Sequence, residues 1–355
     1  IMHTLKPQQI SLSLMSTNRA SLSSRQNIGE GVMALKVGLV GCGRWGMNHL
    51  KTLVELKKTG QISSIHACDI KPSKLDDVQH LADSFHTNWQ DMVVENNLDI
   101  VAIVTPVDTH CNLAISLLDY CDTLFIEKPI GISAAEAVTI IAKVQEVGGR
   151  LLVGHILRFH KAVKQANALI AEGEIGELQR IEFNRLTTRS PPDNPNIFEA
   201  MAIHGIDTAC YSFGELEPSR ISVEDVVLNN YSKPTNAKIL VEFPGMKEAV
   251  IDVGWNGNLE DRAIHYYGSR GKISIETGQV AKIITSVDHG AREQILDQTQ
   301  LPLAGEWQFL IEMLLSKSRD TMYPQPGSII RSVKWVELAK QQIQTHASEI
   351  DERIE

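Results

Sequence analysis

Three stretches of this sequence combine residue types and spacing that could do chemistry. They are "GCGRWG" (41–46), "FIEKPIG" (125–131) and "FEAMAIHGIDTACYSFGE" (198–215). In the first, Gly41, Gly43 and Gly46 fall at the G-x-G-x-x-G spacing. Gly41 would permit a tight turn, Gly43 would let a pyrophosphate approach the backbone, and Gly46 would let a helix pack on the preceding strand. Arg44 and Trp45 sit inside that loop, where a helix N-terminus offers free N–H groups to phosphate. Asp69 closes the next apolar run, "ISSIHACD", and a carboxylate there accepts hydrogen bonds from a ribose diol and repels a 2′-phosphate. NAD is therefore the expected cofactor, with NADP kept open by the nearby Lys71. In the third stretch, His204 has the side chain whose unperturbed pKa lies nearest neutrality, as a general acid/base requires.

The elements around these residues must bring them together. From residue 34 short apolar runs alternate with longer amphipathic ones, the rhythm of parallel βαβ units. Strands are expected at 35–40, 62–69, 99–105, 123–127 and 150–155, with β-branched density suited to a sheet covered on both faces. Ser133 and Glu136 form a capping box for a helix that closes at Gly148. In an open α/β sheet, ligands sit beyond the carboxyl ends of the strands. Thr105, Pro106 and His110 of "VTPVDTH" and Glu127 and Lys128 of "IEKP" should therefore converge on the crevice of the glycine loop. Considered alone, Glu127 and Lys128 could equally be a solvated charge pair.

Beyond residue 158 the pattern changes. A helix ending near Gly173 leads into a strand at 179–189, and the runs "KILVEF", "EAVIDVGWN", "RAIHYYGS" and "GKISIET" suit a mostly antiparallel sheet. The Pro-rich loop "SPPDNPN" (190–196) precedes the His204 helix and is placed to act as a substrate lid. His155, Arg158, Arg189, Trp255, Asn256 and Tyr267 could contact a sugar by stacking and hydrogen bonding, with sheet packing or solvated charge the competing reading of each. Two closing helices, near 305–318 and 327–347, should pack at the domain junction.

Composition narrows the function class. The 355 residues carry 34 Lys and Arg against 43 Asp and Glu, for a net charge of −9. That balance argues against a nucleic-acid footprint, which needs clustered cations. The five cysteines, Cys42, Cys68, Cys111, Cys121 and Cys210, form no CxxC pair, which fits a reducing, cytoplasmic setting without zinc or a disulfide framework. No run approaches eighteen uncharged apolar residues, so no membrane span is expected. Residues 1–33, rich in Ser, Asn and Gln, are expected to be a flexible extension, with "MALKVGLV" from Met33 reading like a natural start.

The ordered series "VGLVGCGRWGMNHL", "CD" (68–69), "VTPVDTH", "IEKPIG", "VGHILRFH" and "IHGID" resembles the glucose–fructose oxidoreductase, inositol dehydrogenase and MocA (Gfo/Idh/MocA) family. The resemblance runs from about residue 34 to near the C-terminus, by pattern more than motif in the last third. It implies an α/β chain with an NAD(P)-binding Rossmann domain at 34–155. A substrate and oligomerisation domain would follow at 156–355, built on a large open sheet. It implies further that Lys128 lies near nicotinamide and substrate, that His204 is the acid/base, and that the sheet's outer face forms a homodimer or homotetramer. The family's aspartate four residues before the histidine is here Ala200. On an α-helix Glu199 would point about 100° away from that face. Asp207, one turn beyond His204, could orient its imidazole.

The activity so implied is hydride transfer between nicotinamide and a secondary hydroxyl of a sugar, nucleotide sugar or inositol. Two other readings stand beside it: a reductase of an imine, diene or tetrapyrrole, and a non-catalytic cofactor-dependent sensor, which Ala200 keeps open.

Overall fold

The computed structural model describes residues 34–192, 196–229, 233–278, 281–287, 290–296, 301–316 and 320–351. The extension expected at 1–33 and the middle of the expected lid at 190–196 lie outside them.

Seven parallel strands form the first sheet. Six of them, β1 (Leu35–Val40), β2 (Ile62–Cys68), β3 (Ser84–His86), β4 (Ile100–Ile103), β5 (Thr123–Glu127) and β6 (Arg150–Gly154), alternate with helices; the seventh, β15 (Met322–Tyr323), arrives late in the chain. Their order is β15-β6-β5-β4-β1-β2-β3, so the chain reverses direction across the sheet between β1 and β4. Both faces are covered, which is why the strands read as continuous apolar runs. Val37, Leu39, Ala102 and Phe125 pack with α1 (Arg44–Lys58) and α8 (Pro302–Leu315). Val101, Ile103, Leu124 and Ile126 pack with α4 (His110–Leu117) and α5 (Ala134–Glu146). At the start of α5 Ser133 Oγ accepts from Glu136 N at 3.2 Å, while Glu136 Oε2 accepts from Ile132 N at 2.9 Å, so the capping box closes one residue early.

The second sheet has eight strands: β7 (Leu178–Leu186), β8 (Arg220–Leu228), β9 (Pro234–Phe243), β10 (Lys247–Gly254), β11 (Ala263–Gly268), β12 (Gly271–Thr277), β13 (Ala281–Val287) and β14 (Gly290–Leu296). All neighbours are antiparallel except β7 and β10, which run parallel. One face is apolar and packs under α6 (Lys161–Ala171) and α7 (Ile203–Ser212). Gly205 of α7 is where helix and sheet come closest: a Cβ there would lie 2.7 Å from Ile251 and 2.9 Å from Phe183. The other face carries Arg180, Glu182, Glu248 and Tyr267, tied together by hydrogen bonds.

The chain ends by returning to the first layer. Trp307 and Leu310 of α8 are fully buried in the core under α1, and β15 pairs with β6, so residues 301–323 belong to the first sheet although they follow the second in sequence. The last helix, α9 (Pro326–Asp351), packs against α5 on one side and α7 and β8 on the other.

Candidate active site

The glycine loop lies at the reversal point of the parallel sheet, where β1 and β4 part. Gly41 has φ +102°, and a Cβ there would sit 2.5 Å from the carbonyl oxygen of Val104, so only glycine lets the two strand ends approach this closely. At Gly46 a Cβ would lie 1.9 Å from the carbonyl oxygen of Gly41. Gly43 differs: nothing lies within 4 Å of the position its Cβ would take. The loop is closed where it packs and open where a pyrophosphate would approach, and the first-turn amides of α1 point at that opening. These residues fit a dinucleotide. Asp69 braces the loop, accepting from Cys42 N at 2.8 Å and Lys71 N at 2.9 Å, and its carboxylate oxygens have further lone pairs for a ribose diol.

Thr105, Pro106 and His110 shape the neighbouring loop. Thr109 Oγ1 donates to Pro106 O at 2.7 Å, which leaves Thr105 Oγ1 as the donor in its 2.6 Å contact with Thr109. His110 is buried between two carbonyl oxygens, Thr105 O and Pro129 O, each 2.9 Å from a ring nitrogen. It therefore fastens the strand-end turn of β4 to that of β5, where the Lys128–Pro129 bond is cis. The contact with cofactor expected of His110 is indirect in this geometry, since both nitrogens are occupied.

Glu127 is a hub and not a solvated partner of Lys128. Its Oε1 accepts from Trp45 Nε1 at 2.5 Å and lies 2.9 Å from His49 Nε2. Trp307 Nε1, which can only donate, lies 3.1 Å from His49 Nδ1. His49 must therefore accept at Nδ1 and carry its proton at Nε2, donating to Glu127. Burial alone would raise the Glu127 pKa; the hydrogen bonds from His49 and Trp45 and the charge of Lys128 hold it below the usual carboxylate range.

Lys128 projects from the end of β5 to the second domain. Its Nζ donates to Glu199 O at 3.1 Å and Ala200 O at 2.9 Å. Those carbonyls belong to a π-helical turn, Phe198–Ala202, that leads into α7. Such wide turns recur at functional sites. The 100° step of an α-helix does not apply here, but Glu199 is turned aside all the same: its Oε1 is 2.5 Å from Lys340 Nζ of α9. Burial, with the charge of Arg185 added, draws the Lys128 ammonium down to about 8 despite Glu127 and Glu199.

His204 follows directly. It is 5% exposed, and among the described residues nothing bonds to its ring, yet neither nitrogen is sealed from the surface. Burial lowers its pKa well below the usual value, and Lys128, Arg185 and His155 lower it further. His204 is thus a neutral imidazole close to the Lys128 ammonium, with only a small part of its ring at the surface.

Several residues expected to meet substrate are placed elsewhere. Arg158, 2% exposed, forks onto Asp207 (Nε–Oδ2 2.9 Å, Nη2–Oδ1 2.8 Å) and reaches Glu215 Oε1 at 2.7 Å. Glu215 in turn accepts from Ser328 and Arg331 of α9. Asp207 consequently braces Arg158, and not His204 as the sequence suggested. His155 stands between them and the site, its Nδ1 3.4 Å from Asp207 and its Nε2 3.4 Å from Ser332 Oγ. Trp255 is buried in the core of the second domain, which leaves no face to stack on a sugar. Tyr267 donates to Glu182 at 2.7 Å on the far face of the sheet. Arg189 and Asn256 are exposed, joined through Asn256 N and Arg189 O at 3.0 Å.

The structure adds residues that the sequence reading passed over. His49 lies one turn after Trp45 on α1. Glu306 of α8 is fully buried, and neither carboxyl oxygen has a partner. Arg185 of β7 faces the helix side of its sheet, two residues beyond Phe183. Period-2 alternation marks that face in the sequence, but the reading stopped at the more visible Arg189. Among the described residues no group of three or more His, Cys, Asp or Glu is placed to hold a metal ion.

Comparison with known proteins agrees with this geometry. Inositol 2-dehydrogenase of Rhizobium meliloti (strain 1021) is 23% identical over 269 residues, 73% of this chain and 80% of its own length. An oxidoreductase from Agrobacterium radiobacter, solved with NAD+, L-tartaric acid and magnesium, superposes with a TM-score of 0.72 at 19% identity, covering 87% of this chain and 96% of that one. A 3-ketoreductase from Actinomadura kijaniata, solved with NADP and TDP-benzene, gives 0.75 at 14% identity over 87% and 97%. Residues 35–155 match the model of the oxidoreductase family with an NAD-binding Rossmann fold, and residues 163–274 match the GFO/IDH/MocA C-terminal domain. The chain belongs to the Gfo/Idh/MocA family of NAD(P)-binding oxidoreductases.

Proposed function

We propose that the protein is a dehydrogenase that oxidises a secondary hydroxyl of a sugar-like or inositol-like substrate in the cleft between the two sheets. One observation carries this reading. The ammonium of Lys128, from the C-terminal end of β5, is held against the turn that presents His204, whose ring is neutral, unbonded and in small part at the surface. A dinucleotide whose pyrophosphate lies at the glycine loop would supply the hydride acceptor through its nicotinamide. His204 takes the hydroxyl proton, and as a neutral imidazole it can accept one at any pH near neutrality. Lys128 holds the oxygen and stabilises the alkoxide charge as it develops. The hub of Trp45, His49 and Glu127 fixes the base of Lys128. Arg158 and Asp207 hold α7, and so His204, in position.

A dimer or tetramer through the open face of the second sheet, with its exposed charged rows, completes the proposal; the mass in solution tests it. The reducing, cytoplasmic setting expected from the cysteine pattern belongs to the same proposal. Among the described residues no helix is long and apolar enough to cross a membrane. The direct test is the nicotinamide absorbance change with inositols, free pyranoses, sugar acids and UDP-sugars, run beside His204→Ala. Turnover in the parent that survives in His204→Ala would overturn the assignment of the base.

A further inference from the structure

Arg185 is a cation without a partner. It lies on β7 opposite Val253 of β10, on the face that bears Ile181, Phe183 and Ile251. Phe183 and Ile251 lie directly under Gly205, the residue after His204, and Arg185 is two residues farther along, about 6.6 Å at the rise of a strand. Among the described residues its guanidinium makes no hydrogen bond, ion pair or ring contact, and none of its nitrogens is sealed from the surface. Burial and the charges of Arg262 and Arg189 draw its pKa down to about 10 against the opposing charge of Glu260.

The acid whose charge acts on Arg185 is Glu260, and its oxygens already accept from Thr187, Thr188 and Arg262. The charged groups that act on His204 are the cations Lys128 and Arg185. The nearby carboxylates are committed elsewhere, Glu127 to Trp45 and His49, Glu199 to Lys340, and Asp207 to Arg158. Ala200, whose carbonyl receives Lys128, has no charge to give. A partly buried guanidinium is costly unless paired, and its planar fork matches a carboxylate. Among the described residues no carboxylate pairs with Arg185, which leaves a bound ligand as the source of its anion.

We infer that the substrate carries a carboxylate, received by Arg185 beside the hydroxyl that Lys128 and His204 address, so that the preferred substrate is a sugar acid or related hydroxy acid and not a neutral polyol. This rests on the dehydrogenase reading for the reaction but not for the binding. A bound carboxylate would also offset the field that depresses His204 and make it a stronger base during proton removal.

The test pairs acids with their neutral counterparts: gluconate with sorbitol, glucuronate with glucose, UDP-glucuronate with UDP-glucose. Binding is measured by calorimetry with NADH bound, and turnover with NAD+. The acids should bind about tenfold or more tighter, as a charge-assisted bidentate contact implies, and Arg185→Gln should erase the ratio while Arg185→Lys keeps part of it. Ala200→Asp, which leaves Arg185 in place, should lower the acid preference by putting a carboxylate beside Lys128. Equal binding within every pair, or a preference that survives Arg185→Gln, overturns the inference. So does equal use of UDP-glucose and UDP-glucuronate with the free acids ignored, which would make a diphosphate the anion. Arg185-dependent acid binding without turnover would uphold the carboxylate site and sink the dehydrogenase reading. Turnover of neutral polyols with no acid preference would do the reverse.

Discussion

Lys128 Nζ donates to the carbonyl oxygen of Ala200 at 2.9 Å, so the backbone of one domain clasps the ammonium of the other just before His204. Because its pKa is drawn down to about 8, Lys128 is the site group that titrates nearest neutrality from above. Its charged form is present below pH 8 and is lost as pH rises through that value. The expected kcat/KM profile is flat around neutrality and falls above about pH 8. Lys128→Arg should move that falling limb beyond the measurable range, whatever its absolute rate. Lys128→Met should lower kcat by roughly 10²–10⁴ at pH 7, the usual worth of a positioned acid/base group. A limb near pH 8 that persists in Lys128→Arg would assign it to another group.

The glycine loop separates folding from binding. Gly43→Ala adds a methyl group into open space, so its melting temperature should match the parent, yet that methyl stands where the pyrophosphate approaches. Weakening of NAD+ binding by at least about tenfold is expected, the cost of displacing a charge-assisted contact. Gly46→Ala drives a Cβ to 1.9 Å from Gly41 O and should destabilise the chain outright, by several kcal/mol for a close clash with backbone in a packed core. Calorimetric binding and thermal melts of the two variants check both halves.

Much of this arrangement was legible before any coordinates. The β1–turn–α1 unit, Asp69, "VTPVDTH" and "IEKP" each sit at a strand end, and a parallel sheet gathers strand ends at one edge. The second domain was legible as strands but not as a site, because period-2 patterning shows which face is buried and not what lies above it. The sequence therefore leaves Tyr267 and Trp255 open between sugar contact and sheet packing; one lies beneath the sheet and the other inside the core. Arg158 and Asp207 find each other across 49 positions, a pairing no local pattern encodes. The α-helical spacing applied to Glu199 and Ala200 failed locally because Phe198–Ala202 forms a π turn, which spacing alone does not disclose. β15 was missed because two residues carry no periodicity at all.

Glu306 should make stability depend on pH. Burial, reinforced by the negative charge of Glu127, pushes its carboxyl well above the usual range. The folded chain then binds a proton that the unfolded chain releases near pH 4.5, so this contribution is fully present below that pH and is lost as pH rises through the folded value. Glu306→Gln cannot titrate. The melting temperature of the variant relative to the parent should therefore be higher at pH 8 than at pH 5, by roughly 2–4 °C for each kcal/mol involved in a chain of this size. An offset that does not change with pH would show that Glu306 is not held protonated.

Arg158 and Asp207 should behave as one unit. Both charges are buried, and Arg158→Met strands Asp207 at a cost of roughly 3–5 kcal/mol, whereas Asp207→Asn leaves Arg158 paired with Glu215 and should cost less in urea unfolding. The double variant should lose less than the sum of the two, since Asp207 is then no longer an orphan charge. If the pair only positions α7, the double variant should keep its KM for substrate and change mainly kcat, through the placement of His204. A large rise in KM with stability intact would instead put Arg158 on the substrate and restore the contact expected from the sequence.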